Sequence, residues 1–515
     1  MSTKFQQIAQ DLILFSRILV CLGLCCITCN QRDQTDEMQR FSEDRVSQAA
    51  NLIEFVRKNF PVPGLMLSIV HKDSVYYYAS GISNSKDDSL KTTTPVFSGN
   101  ISEPMLATAI IYLAKSGRIN LDDPVTKYLP YFKMGGGSYS KVTIRHLLTH
   151  SSGIHNYSIA WDRPAYKANA TEITTRSIAS QVPKFGTPGA RVSRSPYNYD
   201  ILADVISKAT GQPFEKYLQT DVFPALGMNA STFFKPAKAC MPFKIADWRK
   251  FKLAQDTIYP YNAENAGSNG FHTTAKDLAT WMKEILNHDL SSGYGGAESE
   301  KLLSMQFKTG SNRGIGFGWE IKEENNRRLF YKGSSYAGFT SHMVLLPAEK
   351  IGLSILSNSS DGFNAEDIAD KIVKWLKGSA LVMPRIPVSF VMTKKFDESG
   401  SIQQAFKEYY RLKYGEEDKY DLSEAAVNQF GLNLLHHVHD IPRAIEAFRI
   451  CTEIFPSSVA AHLNLAEACI LYKDISGSKA ALAKARSLRT DQVLQGGQVA
   501  FIEENIEILE EKVRG

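Results

Sequence analysis

Three tetrads in the sequence place a lysine three positions after a serine, so that on a helix the lysine side chain could accept the serine proton. Serine is a weak nucleophile at neutral pH and needs such a base, together with donors that stabilise an oxyanion. The tetrads are Ser83–Lys86, Ser138–Lys141 and Ser476–Lys479, and a Lys-Thr-Gly triplet occurs at 308–310. The first two tetrads fall in polar loop segments and the third in a repetitive helical segment, so none is predicted to begin a buried helix. We therefore do not expect these literal matches to be catalytic.

The cysteines are concentrated near the N-terminus, where four of the seven occur: Cys21, Cys25, Cys26 and Cys29. They lie in an apolar run, 18–29, that follows two basic residues, precedes the polar segment 30–37 and is too short to span a bilayer. This pattern predicts an export signal over residues 1–29, and it resembles a bacterial lipoprotein processing site, with Cys29 as the lipidated residue and Cys26 as the second choice. A plain cleaved signal peptide or a short membrane anchor is the alternative. We expect an exported protein, periplasmic or at the cell surface and anchored by lipid to a bacterial membrane.

The composition excludes a disordered or collagen-like protein. The chain has 515 residues, of which 43% are hydrophobic and 22% charged, as in an average packed globular protein. Its net charge is +5 and it has no basic run or aromatic-basic stripe, so nucleic acid is not an expected partner. His155, His272 and the group at 436–439 lack metal-ligand spacing, and we predict neither a metal nor a cofactor.

Regular elements must position any reactive side chains. The β-branched and aromatic runs 62–70 and 74–80 predict a hairpin, and apolar residues at helical spacing predict a buried helix from Pro104 to Gly117. Further helices are expected near 141–150, 198–210, 213–220 and 275–287, and strands at 328–331, 338–346 and 351–358. A sheet built from both ends of this region, with helices inserted between them, predicts an α+β (α/β) domain over residues 49–380, after a polar linker at 30–48.

The pattern becomes helical after about residue 380. Two prolines mark a connector over 381–400, and residues 401–515 are predicted to form an all-α domain. The spacing of small and aromatic residues over 425–458, loosely repeated over 459–492, is similar to the tetratricopeptide repeat of about 34 residues. Cys451 and Cys469 then fall at small buried positions. Such repeats would offer a groove to a protein partner.

Several blocks between residues 60 and 380 together resemble the serine β-lactamase and penicillin-binding-protein superfamily, in particular its class C-like serine hydrolases. In chain order they are 62–65 (VPGL), 117–130 (GRINLDDPVTKYLP), 142–154 (VTIRHLLTHSSGI), 187–189 (TPG), 209–214 (ATGQPF), 224–228 (PALGM) and 316–319 (GFGW). The resemblance implies an antiparallel sheet flanked by helices, and acyl transfer by three elements. These elements are a serine with a lysine one helical turn later, a tyrosine or serine base with an asparagine two residues on, and a Lys/His-x-Gly strand.

Aligned on these blocks, the sequence departs from all three elements. The serine and lysine of the first element fall on Asn100 and Glu103, and a shift of one residue does not restore them. The Tyr-Ser-Asn triplet falls on 194–196, where the serine is retained, and the third element falls on 332–334, where the lysine is retained. The resemblance thus assigns the catalytic positions to Asn100, Glu103 and Arg194, and ligand-binding positions to Ser195, Lys332 and Ser334.

The replaced site leaves three functions open. A carboxylate at Glu103 and a guanidinium at Arg194 can pair, and with Lys332 the pocket is expected to keep net positive charge and to suit an anionic small ligand. The preferred hypothesis is a non-hydrolytic pseudoenzyme that binds a ligand or acts as a scaffold. One alternative is an enzyme that uses Glu103 as acid or base without a covalent intermediate. The other is an esterase, peptidase or β-lactamase that uses a non-standard serine, such as Ser98 or Ser102.

Overall fold

The structure, a computed structural model, describes residues 42–156, 169–250, 252–256, 258–287, 297–325, 327–491 and 506–513. Cys29, the predicted export signal and most of the predicted linker lie outside these ranges. Within them the chain forms an antiparallel sheet flanked by helices and a helical C-terminal region, which confirms the predicted α+β class. No helix in these ranges is both long and apolar enough to cross a bilayer.

The main sheet has eight antiparallel strands in the order β2-β1-β12-β11-β10-β9-β8-β7. The strands are β1 (Gly64–His71), β2 (Ser74–Gly81), β3 (Val96–Phe97), β4 (Phe243–Asp247), β5 (Lys252–Gln255), β6 (His272–Thr273), β7 (Phe307–Lys308), β8 (Arg313–Ile315), β9 (Glu320–Glu324), β10 (Arg327–Tyr336), β11 (Phe339–Leu346), β12 (Ile351–Ser357), β13 (Ile386–Pro387) and β14 (Tyr420–Asp421). Strands β1 and β12 pair with Leu65 opposite Ser357. The two ends of the domain therefore meet in one sheet, as predicted.

The helices are α1 (Glu43–Asn59), α2 (Ser102–Lys115), α3 (Val125–Tyr128), α4 (Ile144–Leu148), α5 (Ala170–Ser177), α6 (Tyr197–Thr210), α7 (Phe214–Tyr217), α8 (Phe223–Ala225), α9 (Ala266–Asn269), α10 (Ala275–Asn287), α11 (Ala297–Leu302), α12 (Ala365–Leu376), α13 (Val388–Ser399), α14 (Ile402–Gly415), α15 (Glu424–Leu432), α16 (Ile441–Ile454), α17 (Val459–Leu471) and α18 (Ile475–Asp491). The buried helix predicted from Pro104 is α2, which begins two residues earlier. Helix α12, between the sheet and the helical region, was not predicted.

The main sheet separates two hydrophobic layers. On β1, Leu65, Leu67 and Ile69 pack with α1 and α12, whereas Met66 and Val70 belong to the larger core that contains α2, α6 and α10. This alternation is the period of a strand that is buried on both faces. The inserted helices therefore lie together on one face of the sheet.

The helical region packs on the sheet domain through aromatic and charged contacts. Phe60 meets Phe390 edge to face with ring centroids 6.0 Å apart, and Trp248 stacks on His437 at 3.8 Å. The last four long helices begin at 424, 441, 459 and 475, close to the predicted repeat spacing, although their assignment as tetratricopeptide repeats stays a prediction. Cys451 and Cys469 are free and buried, as expected.

Candidate functional site

The start of α2 lies against β10. A 3₁₀ turn, Gly99–Ile101, precedes the helix, and Asn100 Nδ2 donates to the carbonyl of Gly333 at 3.3 Å. Gly99 has a φ of +53°, and a Cβ at this position would lie 2.5 Å from Ser334 Oγ. A residue without a Cβ is therefore needed for this approach. The turn brings positions 100 and 103 next to the strand that carries Lys332.

Glu103 is the centre of an ion cluster. Its carboxylate is fully buried, with Oε2 in contact with Lys332 Nζ and 3.3 Å from His150 Nε2. Its Oε1 lies 3.2 Å from Arg194 Nη2, and Arg194 Nη1 lies 3.4 Å from Glu320 Oε1. The pair that the sequence predicted between Glu103 and Arg194 is thus confirmed, although it uses one guanidinium nitrogen and is not bidentate. The enclosed carboxylate has three donors in place of the single partner that was expected.

The hydrogen bonds of His150 define its tautomer. Its Nδ1 faces two donors, Asn198 Nδ2 at 3.0 Å and the backbone N–H of Ser195 at 3.4 Å. The Asn198 amide is oriented by the Ser152 hydroxyl, which donates to Oδ1 at 2.6 Å. Because Nδ1 is an acceptor, the ring proton lies on Nε2 and is donated to Glu103. A chain of hydrogen bonds from the interior therefore supports the carboxylate.

The surroundings of the cluster set the protonation of its members. Burial alone would raise the pKa of Glu103, but the charges of Arg194 and Lys332 and the contact with His150 outweigh it and hold that pKa well below its usual range. Burial lowers the pKa of His150, against the opposing effect of Glu103. Burial and the charge of Arg194 lower the pKa of Lys332, again opposed by Glu103. At neutral pH the carboxylate is ionised and the imidazole is neutral.

A cleft of about 860 Å³ opens beside this cluster, and we call it the front cleft. Of the predicted site residues, Asn100, Arg194 and Ser334 line it. The other three are buried outside the lining: Glu103, Lys332 and Ser195. The polar lining also includes Glu320, Glu366 and His342. The structure thus brings the predicted residues together, with half of them facing the cleft and half beneath it.

The expectation of a net positive pocket is wrong. Lys332 is 2% exposed and its ammonium group is used by Glu103, so its charge does not face the front cleft. The lining sets one arginine, Arg194, against two carboxylates, Glu320 and Glu366, and the guanidinium of Arg194 already bridges two carboxylates. An anionic ligand would meet no excess of positive charge on these lining residues.

Four serine hydroxyls around the start of α2 donate to backbone carbonyls. The pairs are Ser98 with Phe271 at 2.9 Å, Ser102 with Gly99 at 2.7 Å, Ser195 with His155 at 2.8 Å and Ser341 with Ser98 at 2.7 Å. A hydroxyl that donates to a neutral carbonyl is not oriented toward a base. The literal Ser-x-x-Lys tetrads lie elsewhere, after β2, in an exposed 3₁₀ turn and in α18, so none of them begins α2.

Sequence reasoning missed two members of the cluster. His150 lies inside the block 142–154, and Glu320 directly follows the block 316–319. One lies within a recognised block and the other directly follows one, and this position is the signal that could have marked them as residues near the site. Neither has a spacing relative to Glu103 that would have revealed the contact without the fold.

The sheet domain matches a known protein family. The model of the Beta-lactamase family matches residues 51–374. The chain is 25% identical over 376 residues to Protein flp of Staphylococcus aureus (strain N315), covering 72% of each chain. It is 24% identical over 312 residues to the D-alanyl-D-alanine-carboxypeptidase/endopeptidase AmpH of Escherichia coli (strain K12), covering 55% of this chain and 77% of that protein.

Solved structures show a similar fold. An octameric penicillin-binding protein homologue from Pyrococcus abyssi superposes with a TM-score of 0.55 at 24% identity, covering 68% of this chain and 81% of the other. A class C beta-lactamase superposes with a TM-score of 0.55 at 19% identity, covering 66% of this chain and 99% of the other. At these identities the likeness concerns the fold alone, so the chemistry must be argued from the site.

Proposed function

Because the chain belongs to the Beta-lactamase family, we propose that it is a non-hydrolytic member that binds a small polar ligand in the front cleft and does not cleave it. The observation that carries the proposal is the state of Glu103. This carboxylate stands where the family resemblance implies the lysine, and both of its oxygens are used, Oε2 by the buried Lys332 and His150 and Oε1 by the guanidinium of Arg194. Asn100 stands where the nucleophilic serine would be. A side-chain amide cannot form an acyl-enzyme ester, and the ionised cluster beside it offers no free base.

The alternative of acid–base chemistry by Glu103 has less support. Glu103 is fully buried and does not line the front cleft, so it does not reach a ligand there. Its pKa is held well below the usual range by Arg194 and Lys332 against the effect of burial, so it carries no proton to donate near neutral pH. A general acid or base needs both reach and a pKa near the working pH.

Covalent labelling and turnover measurements test the proposal. We expect the purified full chain to hydrolyse neither nitrocefin nor p-nitrophenyl butyrate above the buffer rate, and to carry no fluorescent penicillin after denaturing electrophoresis. The physical reason is the missing nucleophile and base. The matched control is Ser334→Ala, which removes a serine hydroxyl that lines the front cleft. Any label that survives denaturation contradicts the proposal, and its loss in Ser334→Ala would locate the reactive serine.

We also propose that the chain is exported and anchored by lipid at Cys29, on the strength of the sequence pattern alone. In a bacterial host fed with an alkyne-tagged fatty acid, we expect the wild type to be labelled and to fractionate with membranes. Cys29→Ala should lose both properties, because it lacks the thiol that would carry the lipid. The control Cys26→Ala should keep them. Loss of label in Cys26→Ala alone would assign the anchor to that residue and contradict the proposal.

A further inference from the structure

Four buried side chains in the helical region carry polar atoms that have no hydrogen-bond partner among the described residues. They are Ser389 and Thr393 on α13, Asn428 on α15 and Asn433 just after α15. Ser389 and Asn433 are 0% and 1% exposed, so solvent does not reach them freely. Buried polar groups in native proteins are almost always paired, and each exception calls for an explanation such as an ordered water or a ligand.

Two of these groups, Ser389 and Asn433, line a cavity between the sheet domain and the helical region. This cavity, the junction cleft, has a volume of about 840 Å³. Its apolar lining includes Phe60, Phe363, Ile368, Val382, Met383 and Phe390. A volume of this size, mostly apolar walls and a few polar groups are the usual properties of a ligand site.

The charged groups that line the junction cleft are two cations and three carboxylates. Lys371 pairs with Asp367, and Arg385 lies 3.9 Å from Asp418. Asp361 accepts the backbone N–H of Ile245 at 2.9 Å and Asp421 that of Ser423 at 3.0 Å, and both of these contacts are with backbone groups and not with a cation. Both lining cations already lie near carboxylates and the lining carboxylates outnumber them, so the junction cleft is not built for a phosphate or a carboxylate ligand.

The unpartnered atoms indicate which polar groups a ligand would need. Asn433 Oδ1 accepts from Gln429 Nε2 at 2.9 Å, so the group left over is its Nδ2 donor. The Ser389 hydroxyl can also donate. Thr393 lies one helical turn beyond Ser389, on the same face of α13. Two donors among aromatic and aliphatic walls suit carbonyl oxygens that are flanked by apolar side chains.

We propose that the junction cleft binds an uncharged apolar peptide segment, whose backbone carbonyls accept from Ser389 and Asn433 and whose side chains lie against Phe60, Phe363 and Phe390. The site is distinct from the front cleft. Among the described lining residues the two cavities share Phe363 and Asn364, in the loop before α12. Binding in the junction cleft does not depend on whether the front cleft has lost hydrolysis.

Calorimetric titration of the full chain with N-acetyl-Leu-Val-Phe-amide and N-acetyl-Phe-Ala-Leu-amide tests the proposal. We expect saturable binding of at least one of these peptides with one site per chain. Ser389→Ala and Asn433→Leu should each weaken it by about tenfold or more, because each removes a buried donor to a ligand carbonyl. Ser389→Ala should also raise the unfolding midpoint of the free protein by about 2 °C, because it removes a buried hydroxyl without a partner.

The matched control is Ser207→Ala on α6. The Ser207 hydroxyl donates to Ala203 O and accepts from Phe214 N, both at 3.0 Å, and lies outside the junction cleft. This variant should lower the unfolding midpoint and leave peptide binding unchanged. The proposal is overturned if neither peptide binds, if binding survives both cleft variants, or if lauric acid binds there and the peptides do not. It is also overturned if Ser389→Ala destabilises the protein as Ser207→Ala does.

Discussion

The Glu103→Gln variant should lose about 3–5 kcal/mol of its free energy of unfolding, which is the usual cost of removing one partner from a buried ion cluster. Lys332 is 2% exposed and has its ammonium group against this carboxylate, so the substitution leaves a cation without a counter-ion in the interior. Glutamine also offers one acceptor oxygen in place of the two that Arg194, His150 and Lys332 now use. Urea unfolding followed by circular dichroism at pH 7 measures the loss.

Two variants separate a charge effect from a packing effect. Glu320→Gln removes the other carboxylate that contacts Arg194, but the side chains of this pair are 35% and 40% exposed, so we expect a loss below about 1 kcal/mol. Glu103→Met combined with Lys332→Met removes both ions together and should recover most of the stability, as replacement of a buried pair by apolar groups often does. A loss as small for Glu103→Gln as for Glu320→Gln would contradict a buried cluster with Glu103 at its centre.

The cluster also explains why the replacements at the three family elements belong together. Lys332 is retained from the third element, and a lysine in place of Glu103 beside an arginine in place of the tyrosine would put three buried or half-buried cations in contact. With Glu103 present, Lys332 and Arg194 each find a counter-ion. Glutamate at 103 and arginine at 194 therefore form a self-consistent structural unit, at the positions where the family resemblance implies the lysine and the tyrosine.

The scaffold was largely predictable from the sequence, and the electrostatics of the site were not. The hairpin, α2, α6, α10 and the C-terminal strands follow from periodicity and turn residues, which are local properties. The contact between Glu103 and Arg194 followed from complementary charges at positions that the recognised blocks had aligned. The burial of Lys332 could not be predicted in this way. The start of α2 packs over β10 and decides whether a side chain of this strand faces the cleft or the interior.

The position of Glu320 shows the same limit. It begins β9 and reaches Arg194 across 126 residues of sequence, and this contact removes the positive excess that the motif positions suggested. Charge at a site is a sum over every element that surrounds it, whereas motif reasoning counts the elements that it recognises. The unpartnered polar groups of α13 and α15 were equally invisible in the sequence, because only the packed structure shows which partners are missing.

The largest pH-dependent loss of stability should come from His272, which begins β6 and pairs with Phe97 just before the turn into α2. Its Nδ1 donates to Gly270 O and its Nε2 accepts from the Tyr259 hydroxyl, both at 2.9 Å, so the neutral ring is fully used. Burial lowers the pKa of His272 from 6.5 to about 3. Between these values the unfolded chain binds a proton that the folded chain does not, so stability falls as the pH falls through this window.

The expected size is about 1.4 kcal/mol per pH unit, or about 4–5 kcal/mol in total across the window. Urea unfolding at pH 4.5, 5.5 and 6.5 measures how the free energy of unfolding depends on pH. We expect this slope to be shallower in His272→Gln than in the wild type, by the amount that corresponds to about one proton taken up on unfolding. Tyr259→Phe is the matched control, because it removes a hydrogen bond to the same ring and keeps the titrating group. It should lower stability at every pH and leave the slope nearly unchanged. An unaltered slope in His272→Gln would mean that other groups take up the protons on unfolding. The β3–β6 ladder beneath the start of α2 would then not be the acid-sensitive part of the fold.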